Sequence, residues 1–301
     1  MTRIAVVVHG LKADTPDAAL VRSTVTAKAD AERWPAPEWL VTTKEDPGRG
    51  LVEQALREGV ELLVVVGGDG TVSSCAAGLA GTGVPMGIVP MGTGNLIARN
   101  LKLPSTADAA IEIVLNGSDR AIDVGRCGDR VIVAMAGVGL DAAMIADAPR
   151  KLKNRWGWPA YAVSIARHLG DRGVDLTLTL DGSQFERRRV RALVIGNVGR
   201  LQGGIRLLPD ARPDSGQLDV VVLAPAGLLG WIPVVLRLLA RRRPSTRSVE
   251  RFQARHVIVR SREPIKLELD GESFGSGSVL DVEVDAGALV VRVPADCVEA
   301  A

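Results

Sequence analysis

The apolar run at residues 62–66, LLVVV, ends directly in Gly67, Gly68, Asp69, Gly70 and Thr71, and this junction constrains the fold more than any other segment. A run with no polar face reads as a strand covered on both sides, the mark of a parallel sheet. Glycines let the backbone turn and let an anion come close, and residues 72–79 continue as a helical segment. Strand, glycine turn and helix together place unobstructed backbone N–H groups at a helix N-terminus, where a phosphate is stabilised. Asp69 is a poor direct neighbour for phosphate by charge, so its natural role is to hold Mg²⁺, or water on Mg²⁺, against the phosphates. A plain tight turn would need neither that acid nor the Thr71 hydroxyl.

The flanking pattern has the order of an α/β domain. Strand-like segments at residues 4–8, 39–41, 62–66 and 87–89 alternate with helical ones at 18–33, 51–58, 72–79, 96–101 and 107–115, the last with Ser105 as its expected cap. From about residue 121 the pattern turns to strands: 131–136, 174–180, 190–196, 218–223 and 257–260, with helices expected at 140–148, 159–169 and 228–241. This half reads as an antiparallel sandwich with insertions.

The chain has 301 residues, 47% hydrophobic and 24% charged, enough for a buried core in each of two domains. Its 37 basic and 35 acidic residues leave a net charge of +2, no global field for gripping a polyanion, so no nucleic-acid partner is expected. Cys75, Cys127 and Cys297 are widely spaced and form no CxxC pair, which suggests neither a disulfide framework nor a zinc site and fits a reducing cytoplasm. The apolar stretch at the N-terminus is too short for a signal peptide. The longest uncharged stretch, 220–236, is interrupted by Pro225, Gly227, Gly230 and Pro233 and falls short of the ~20 residues that span a bilayer.

No GxxxxGK[ST] occurs and no HRD or DFG signature, which excludes the P-loop NTPases and the protein kinases. GGDGT at 67–71, PMGTGN at 90–95, AIDVG at 121–125, GVGLDA at 137–142, PDARPDSGQLD at 209–219 and LDGE at 269–272 follow one another in an order that resembles the diacylglycerol kinase catalytic-domain superfamily, bacterial branch. That superfamily includes sphingosine and ceramide kinases and is structurally akin to NAD kinases, and the resemblance covers nearly the whole chain.

The resemblance implies roles for individual residues. Gly67, Gly68, Asp69, Gly70 and Thr71 would bind nucleotide phosphate and metal, and Gly92, Thr93, Gly94 and Asn95 would form a second glycine-rich wall. Thr43 resembles the family's nucleotide-contacting threonine, Glu272 would lie beside the nucleotide, and Asp270 corresponds to the catalytic base. Asp123 matches an acid in the family's metal network, and Asp214 lies in the loop that holds a structural Mg²⁺. Two positions depart from the pattern: Leu96 stands where the family usually carries an acid, and His9 and Gly10 stand where its first strand ends in NP or NG.

The chemistry can be stated from the residues alone. A lipid hydroxyl is a weak nucleophile at neutral pH, so phosphoryl transfer needs a carboxylate to orient it and accept its proton, with metal neutralising the phosphate oxygens. Asp270 and Asp69 would divide those tasks. LDGE also reads as a type I′ hairpin turn between strands at 265–269 and 279–284, and a turn can still project an acid. Gly137, Gly139 and Ala142 satisfy GxGxxA, but after the change to β-rich order, where a dinucleotide fold would not begin.

Membrane contact calls for apolar surface beside basic side chains. Leu228, Leu229, Trp231, Ile232, Leu236, Leu238 and Leu239 leading into Arg241, Arg242 and Arg243 offer this, as do Lys151, Lys153, Arg155, Trp156 and Trp158; core helices with solvated arginines are the alternative.

The sequence therefore specifies an α/β nucleotide-binding domain of the NAD kinase/diacylglycerol kinase type, residues 1–122, and a β-rich sandwich domain for lipid, residues 123–285. Residues 286–301 are expected to return to the first domain, with the active site between the two. The expected activity is an ATP- and Mg²⁺-dependent phosphotransferase acting on a lipid hydroxyl, foremost diacylglycerol. The alternatives are a sphingosine-type or other acceptor, or a nucleotide- or lipid-binding protein with weak turnover. The expected location is the cytoplasm with peripheral membrane contact, and a homodimer is left open.

Overall fold

The computed structural model describes residues 2–139, 173–200, 207–225, 230–231 and 248–297. The chain divides into two compact units, the first Met1–Val124 with Ala286–Ala301 and the second Gly125–Asp285.

In the first unit, β1 (Ile4–Val8), α1 (Pro16–Glu32), β2 (Glu38–Val41), α2 (Arg49–Arg57), β3 (Leu62–Gly67), α3 (Asp69–Leu79), β4 (Met86–Pro90), α4 (Leu96–Asn100) and α5 (Ala107–Asn116) alternate in sequence. The parallel sheet runs β2-β1-β3-β4. Strands β1 and β3 are buried along their whole length, as their unbroken apolar runs require, because helices cover both faces. Val6, Val8, Val64 and Val66 pack against Val21 and Val25 of α1 and Ile111 and Val114 of α5. Each such buried side chain contributes about 1.5–3 kcal/mol. Thr15 caps α1 by accepting the Ala18 N–H, Pro16 occupies the first turn, and Arg33 ends the helix in the left-handed region. At α5 the N-cap is Thr106 and not Ser105, and its side chain makes no capping bond.

The chain leaves the first unit along β5 (Ser118–Cys127) and returns along β14 (Glu272–Val293), whose Val291 pairs in parallel with Met86 of β4.

The second unit contains β6 (Arg130–Ile132), β7 (Met135–Gly139), β8 (Val174–Leu180), β9 (Ser183–Val190), β10 (Ala192–Gly196), β11 (Leu218–Leu223), β12 (Val249–Ala254) and β13 (His256–Leu269), joined antiparallel in the order β12-β11-β10-β7-β13-β14. β13 belongs to two layers. Its first part pairs with β8, which continues to β9, and its last part pairs with β7. The core between the layers draws on Leu176, Leu178, Val257 and Val259 from one and on Val138, Leu193, Val220 and Leu267 from the other. That is the sandwich arrangement.

Two strands are shorter than the sequence suggests. The run at 131–136 breaks at Val133 and Ala134, where a bend separates β6 from β7, and the run at 190–196 breaks at Arg191 between β9 and β10. The helices expected at 140–148 and 159–169 lie outside the described residues, as do the Lys151 to Trp158 basic-aromatic stretch and Arg241 to Arg243. Of the segment expected at 228–241, Trp231 is described, and it is buried. Among the described residues no helix is long and apolar enough to cross a membrane.

Candidate functional site

Four parallel strands of the first unit end at the same edge of the sheet, where open α/β sheets hold ligands. After β3 the chain passes through Gly68, the N-cap of α3, and no side chain accepts the first N–H groups of that helix. A helix start without a side-chain cap leaves donors for an anion. Gly67 is backed by Thr71, which is buried, and a Cβ at Gly67 would lie 2.8 Å from the Thr71 Cβ. Gly70 lies in the first turn of the helix.

Adjacent to this loop is the turn that follows β4. Gly67 pairs with Pro90 across the strands, and the Met91 N–H donates to the Gly67 carbonyl at 2.8 Å. A Cβ at Gly92 would lie 2.7 Å from the Gly68 Cα, so the two loops touch through glycine at both positions. Asn95 folds back on Gly92: its Oδ1 accepts the Gly92 N–H at 2.8 Å and its Nδ2 donates to the Gly92 carbonyl at 2.9 Å. It does so from a left-handed conformation, φ 46°, that asparagine tolerates better than most residues. Gly94 is buried and Thr93 is exposed.

Asp69 joins the two loops. Its Oδ1 accepts the Leu96 N–H at 2.5 Å, at the start of α4. Burial pushes its pKa above the usual carboxylate range, and the N–H groups of Leu96, Ile97 and Asn95 with the nearby Arg99 charge pull it back in part. At Leu96, where the family pattern carries an acid, it is the backbone N–H that meets Asp69.

The first two strands supply the rest of the edge. His9 follows β1, donates its N–H to the Val66 carbonyl at 2.9 Å and accepts the Leu11 N–H on Nδ1 at 3.2 Å. Gly10 donates to the Thr42 Oγ1 at 3.1 Å, and a Cβ there would meet the Thr42 carbonyl at 2.7 Å. Thr43, the residue singled out from sequence, is exposed and its Oγ1 accepts the Asp46 N–H at 3.1 Å. Its buried neighbour Thr42 is the one that fixes Gly10, a role without a sequence signal. Asp123 is buried, and its Oδ1 accepts the N–H of Gly287, which stands at φ 65°. That bond fastens β5 to the returning β14.

In the second unit, Asp270 and Gly271 form a two-residue turn between β13 and β14, with φ 48° and 86° as a type I′ hairpin requires. The Asp270 carboxylate accepts the N–H groups of Val133, Ala134 and Met135 at 2.9, 2.8 and 2.9 Å, and its own N–H donates to the Met135 carbonyl at 2.7 Å. It grips the bend between β6 and β7. The bend is held from another direction by Asn197, which donates from its backbone N–H to the Ala134 carbonyl. Glu272, two residues on, is exposed.

Among the described residues no three acid, histidine or cysteine side chains gather as metal ligands. Asp214 lies partly buried in the loop before β11. The sequence reading missed Asp219 at the start of that strand: it is buried, its Oδ1 accepts the Gln253 Nε2 at 3.2 Å, and its Oδ2 is buried with no hydrogen-bond partner. Burial raises its pKa to about 6; the Gln253 hydrogen bond and the Arg251 charge oppose the rise, and Asp210 adds to it. An orphaned carboxylate oxygen at a strand start that follows an acid-bearing loop suits a hard cation that takes one or two carboxylates and completes its shell with water. Asp214 and Asp219 are the carboxylates of this region that could hold a structural Mg²⁺. Asp69 and Asp123 spend an oxygen each on backbone N–H groups.

Comparison with known proteins places these parts. Residues 5–127 match the model of the diacylglycerol kinase catalytic domain, and residues 133–293 match that of the YegS C-terminal NAD kinase beta sandwich-like domain. A Pseudomonas aeruginosa protein named "Probable lipid kinase YegS-like" is 32% identical over 301 residues, covering 97% of this chain and 95% of that protein. The diacylglycerol kinase of Bacillus subtilis is 30% identical over 238 residues, 78% of each chain. A solved crystal structure of a diacylglycerol kinase from Bacillus anthracis str. Sterne shares the fold, with a TM-score of 0.73 at 20% identity over 97% of this chain and 96% of that one. On both family models and on relatives matched over nearly its whole length, the chain belongs to the diacylglycerol kinase catalytic-domain family of ATP-dependent phosphotransferases.

Proposed function

We propose that the protein transfers the γ-phosphoryl group of ATP, taken up as its magnesium complex, to the hydroxyl of a membrane lipid, with diacylglycerol the leading acceptor. The observation that carries this reading is the start of α3 at Gly68, which has no side-chain cap and is pressed backbone to backbone against Gly92. Backbone N–H groups there hold phosphate oxygens, and Asp69 and Asn95 hold the two loops in register.

In the reaction the acceptor oxygen forms a bond to the γ-phosphorus as the bond to the β,γ-bridging oxygen breaks, ADP leaves, and the hydroxyl proton passes to a carboxylate. Metal bound with the nucleotide neutralises phosphate charge. Asp270, the base that the family resemblance implies, and Glu272 share the hairpin, and we assign them different tasks. Asp270 spends its carboxylate on three N–H groups, which suits positioning, whereas exposed Glu272 is the carboxylate open to take the proton. Asp214 and Asp219 would hold a structural Mg²⁺ if one binds, and the ion would stiffen the loop before β11.

The acceptor is taken at a bilayer surface by a cytoplasmic protein in this reading. Labelled ATP with a panel of diacylglycerol, sphingosine and ceramide tests it. Transfer of label to diacylglycerol above the others is the expected result, and label on none of the lipids would leave a binding protein.

A further inference from the structure

We infer that Asn197 is a positioning residue for phosphoryl transfer: it fixes the bend at residues 133–135 that holds Asp270, and with Asp270 the hairpin that carries Glu272. The role rests on the lipid-kinase reading for the reaction that the hairpin serves, and on hydrogen bonds within the second unit for the residue.

Val133, Ala134 and Met135 are all buried, so the polar groups of their backbone must find partners inside the protein. Each of these three N–H and three carbonyl groups has one, on either Asp270 or Asn197. The N–H groups donate to the Asp270 carboxylate, and the Met135 carbonyl accepts the Asp270 N–H. The other two carbonyls are met by Asn197: Val133 accepts from its Nδ2 at 3.3 Å and Ala134 from its backbone N–H at 2.9 Å.

These bonds run in series. The peptide plane between Val133 and Ala134 receives the Asn197 side-chain amide on its carbonyl and gives its N–H to the Asp270 Oδ1. The next plane, between Ala134 and Met135, receives the Asn197 backbone N–H and gives its own N–H to the same oxygen. A peptide group is planar, so a partner at each end fixes the plane. A donor on its carbonyl also polarises the group and strengthens its N–H toward the carboxylate.

The anchor is firm. Asn197 is 2% exposed and directly follows β10, whose Gly196 pairs with Met135 of β7. An ionised aspartate at this position would keep the shape of the side chain and lose the donor, because a carboxylate only accepts. With one plane released, the Asp270 carboxylate loses its fixed seat and Glu272 moves with the hairpin. Nucleotide binding at the glycine loops of the first unit involves none of these bonds.

The test measures kcat and the KM for ATP on a short-chain diacylglycerol dissolved in water, per ATP-binding site counted by titration. Asn197→Asp is expected to lower kcat at least about tenfold, as loss of a buried hydrogen bond does when it is felt in the transition state. The KM for ATP is expected to stay within about twofold. Combined with Asp270→Asn, it is expected to fall no further than about threefold below the slower single variant, since both act on one bend. In isotope-labelled protein the Ala134 amide proton, which points at Asp270, is expected to move upfield in Asn197→Asp while the amides of β1 and β3 stay in place. Should Asn197→Asp fail to fold by its thermal midpoint, Asn197→Ser, with a hydroxyl donor on a shorter stem, carries the test with a loss of at least about threefold in kcat. Unchanged kcat in a folded variant beside an active wild type, or losses that multiply in full in the double variant, overturn the role of Asn197 and leave the kinase reading standing. Wild type that phosphorylates no lipid removes the kinase reading and the role in transfer together, and the Ala134 shift then shows the clamp as a part of the fold.

Discussion

The carboxylate of Asp69 accepts the backbone N–H of Leu96 at 2.5 Å and ties together two loops that lie 27 residues apart. The bond uses the side chain of one partner and only the backbone of the other. Asp69→Ala is therefore expected to release the second glycine loop and to cut phosphoryl transfer at least about 100-fold, in line with loss of a group that organises phosphate. Leu96→Ala keeps the donor and is expected to stay within about threefold of wild type. Steady-state turnover of the two variants side by side decides the matter: equal losses would mean that the bond does not organise the site.

Gly92→Ala places a methyl group 2.7 Å from the Gly68 Cα and 2.8 Å from the Asn95 Oδ1. Backbone cannot yield as a side-chain end does, so the loops must part, at about 1–3 kcal/mol. A lower thermal midpoint and weaker ATP binding, about tenfold or more by titration, are expected together. Unchanged affinity would detach Gly92 from the nucleotide site.

Asp270 and Glu272 separate by what they disturb. Asp270→Asn removes charge from three hydrogen bonds to Val133, Ala134 and Met135 and is expected to cost about 1.5–3 kcal/mol of unfolding free energy along with turnover. Glu272→Gln, at an exposed position, is expected to leave stability within about 0.5 kcal/mol and to lower kcat about 10² to 10⁴-fold with little change in the KM for ATP. Denaturant melts and initial rates on both variants distinguish the roles. Loss of rate in Asp270→Asn with stability intact would return the base to Asp270.

The orphaned oxygen of Asp219 predicts a thermal response to metal. Added Mg²⁺ is expected to raise the unfolding midpoint, by an amount set by about 2.7 kcal/mol at one hundred times its dissociation constant. Asp219→Asn should abolish the rise and leave nucleotide binding intact. A shift that persists in Asp219→Asn would place the cation elsewhere.

Much of this was legible in the residues. LLVVV running into GGDGT declared a buried parallel strand and a phosphate loop, and LDGE declared its turn, because both follow from local backbone sterics. Ranges with one strong period, such as β8 and β11, matched their strands, whereas the bend at Val133 and Ala134 gave no sign: those residues are apolar, and what bends the chain there is Asp270 from far along the sequence. The unpartnered oxygen of Asp219 has no sequence signal, because burial, not spacing, makes that residue unusual.

By itself the sequence determined the order of elements, the two glycine loops and the hairpin turn, since each depends on neighbours within a few residues. Which carboxylates are spent and which are open was decided only by the tertiary structure. Asp69 is taken by the Leu96 N–H, Asp123 by Gly287 and Asp270 by the β6–β7 bend, and Glu272 stands exposed. The physical reason is that a carboxylate's function depends on the donors around it, and here those donors are backbone N–H groups brought close by the packing of strands distant in sequence.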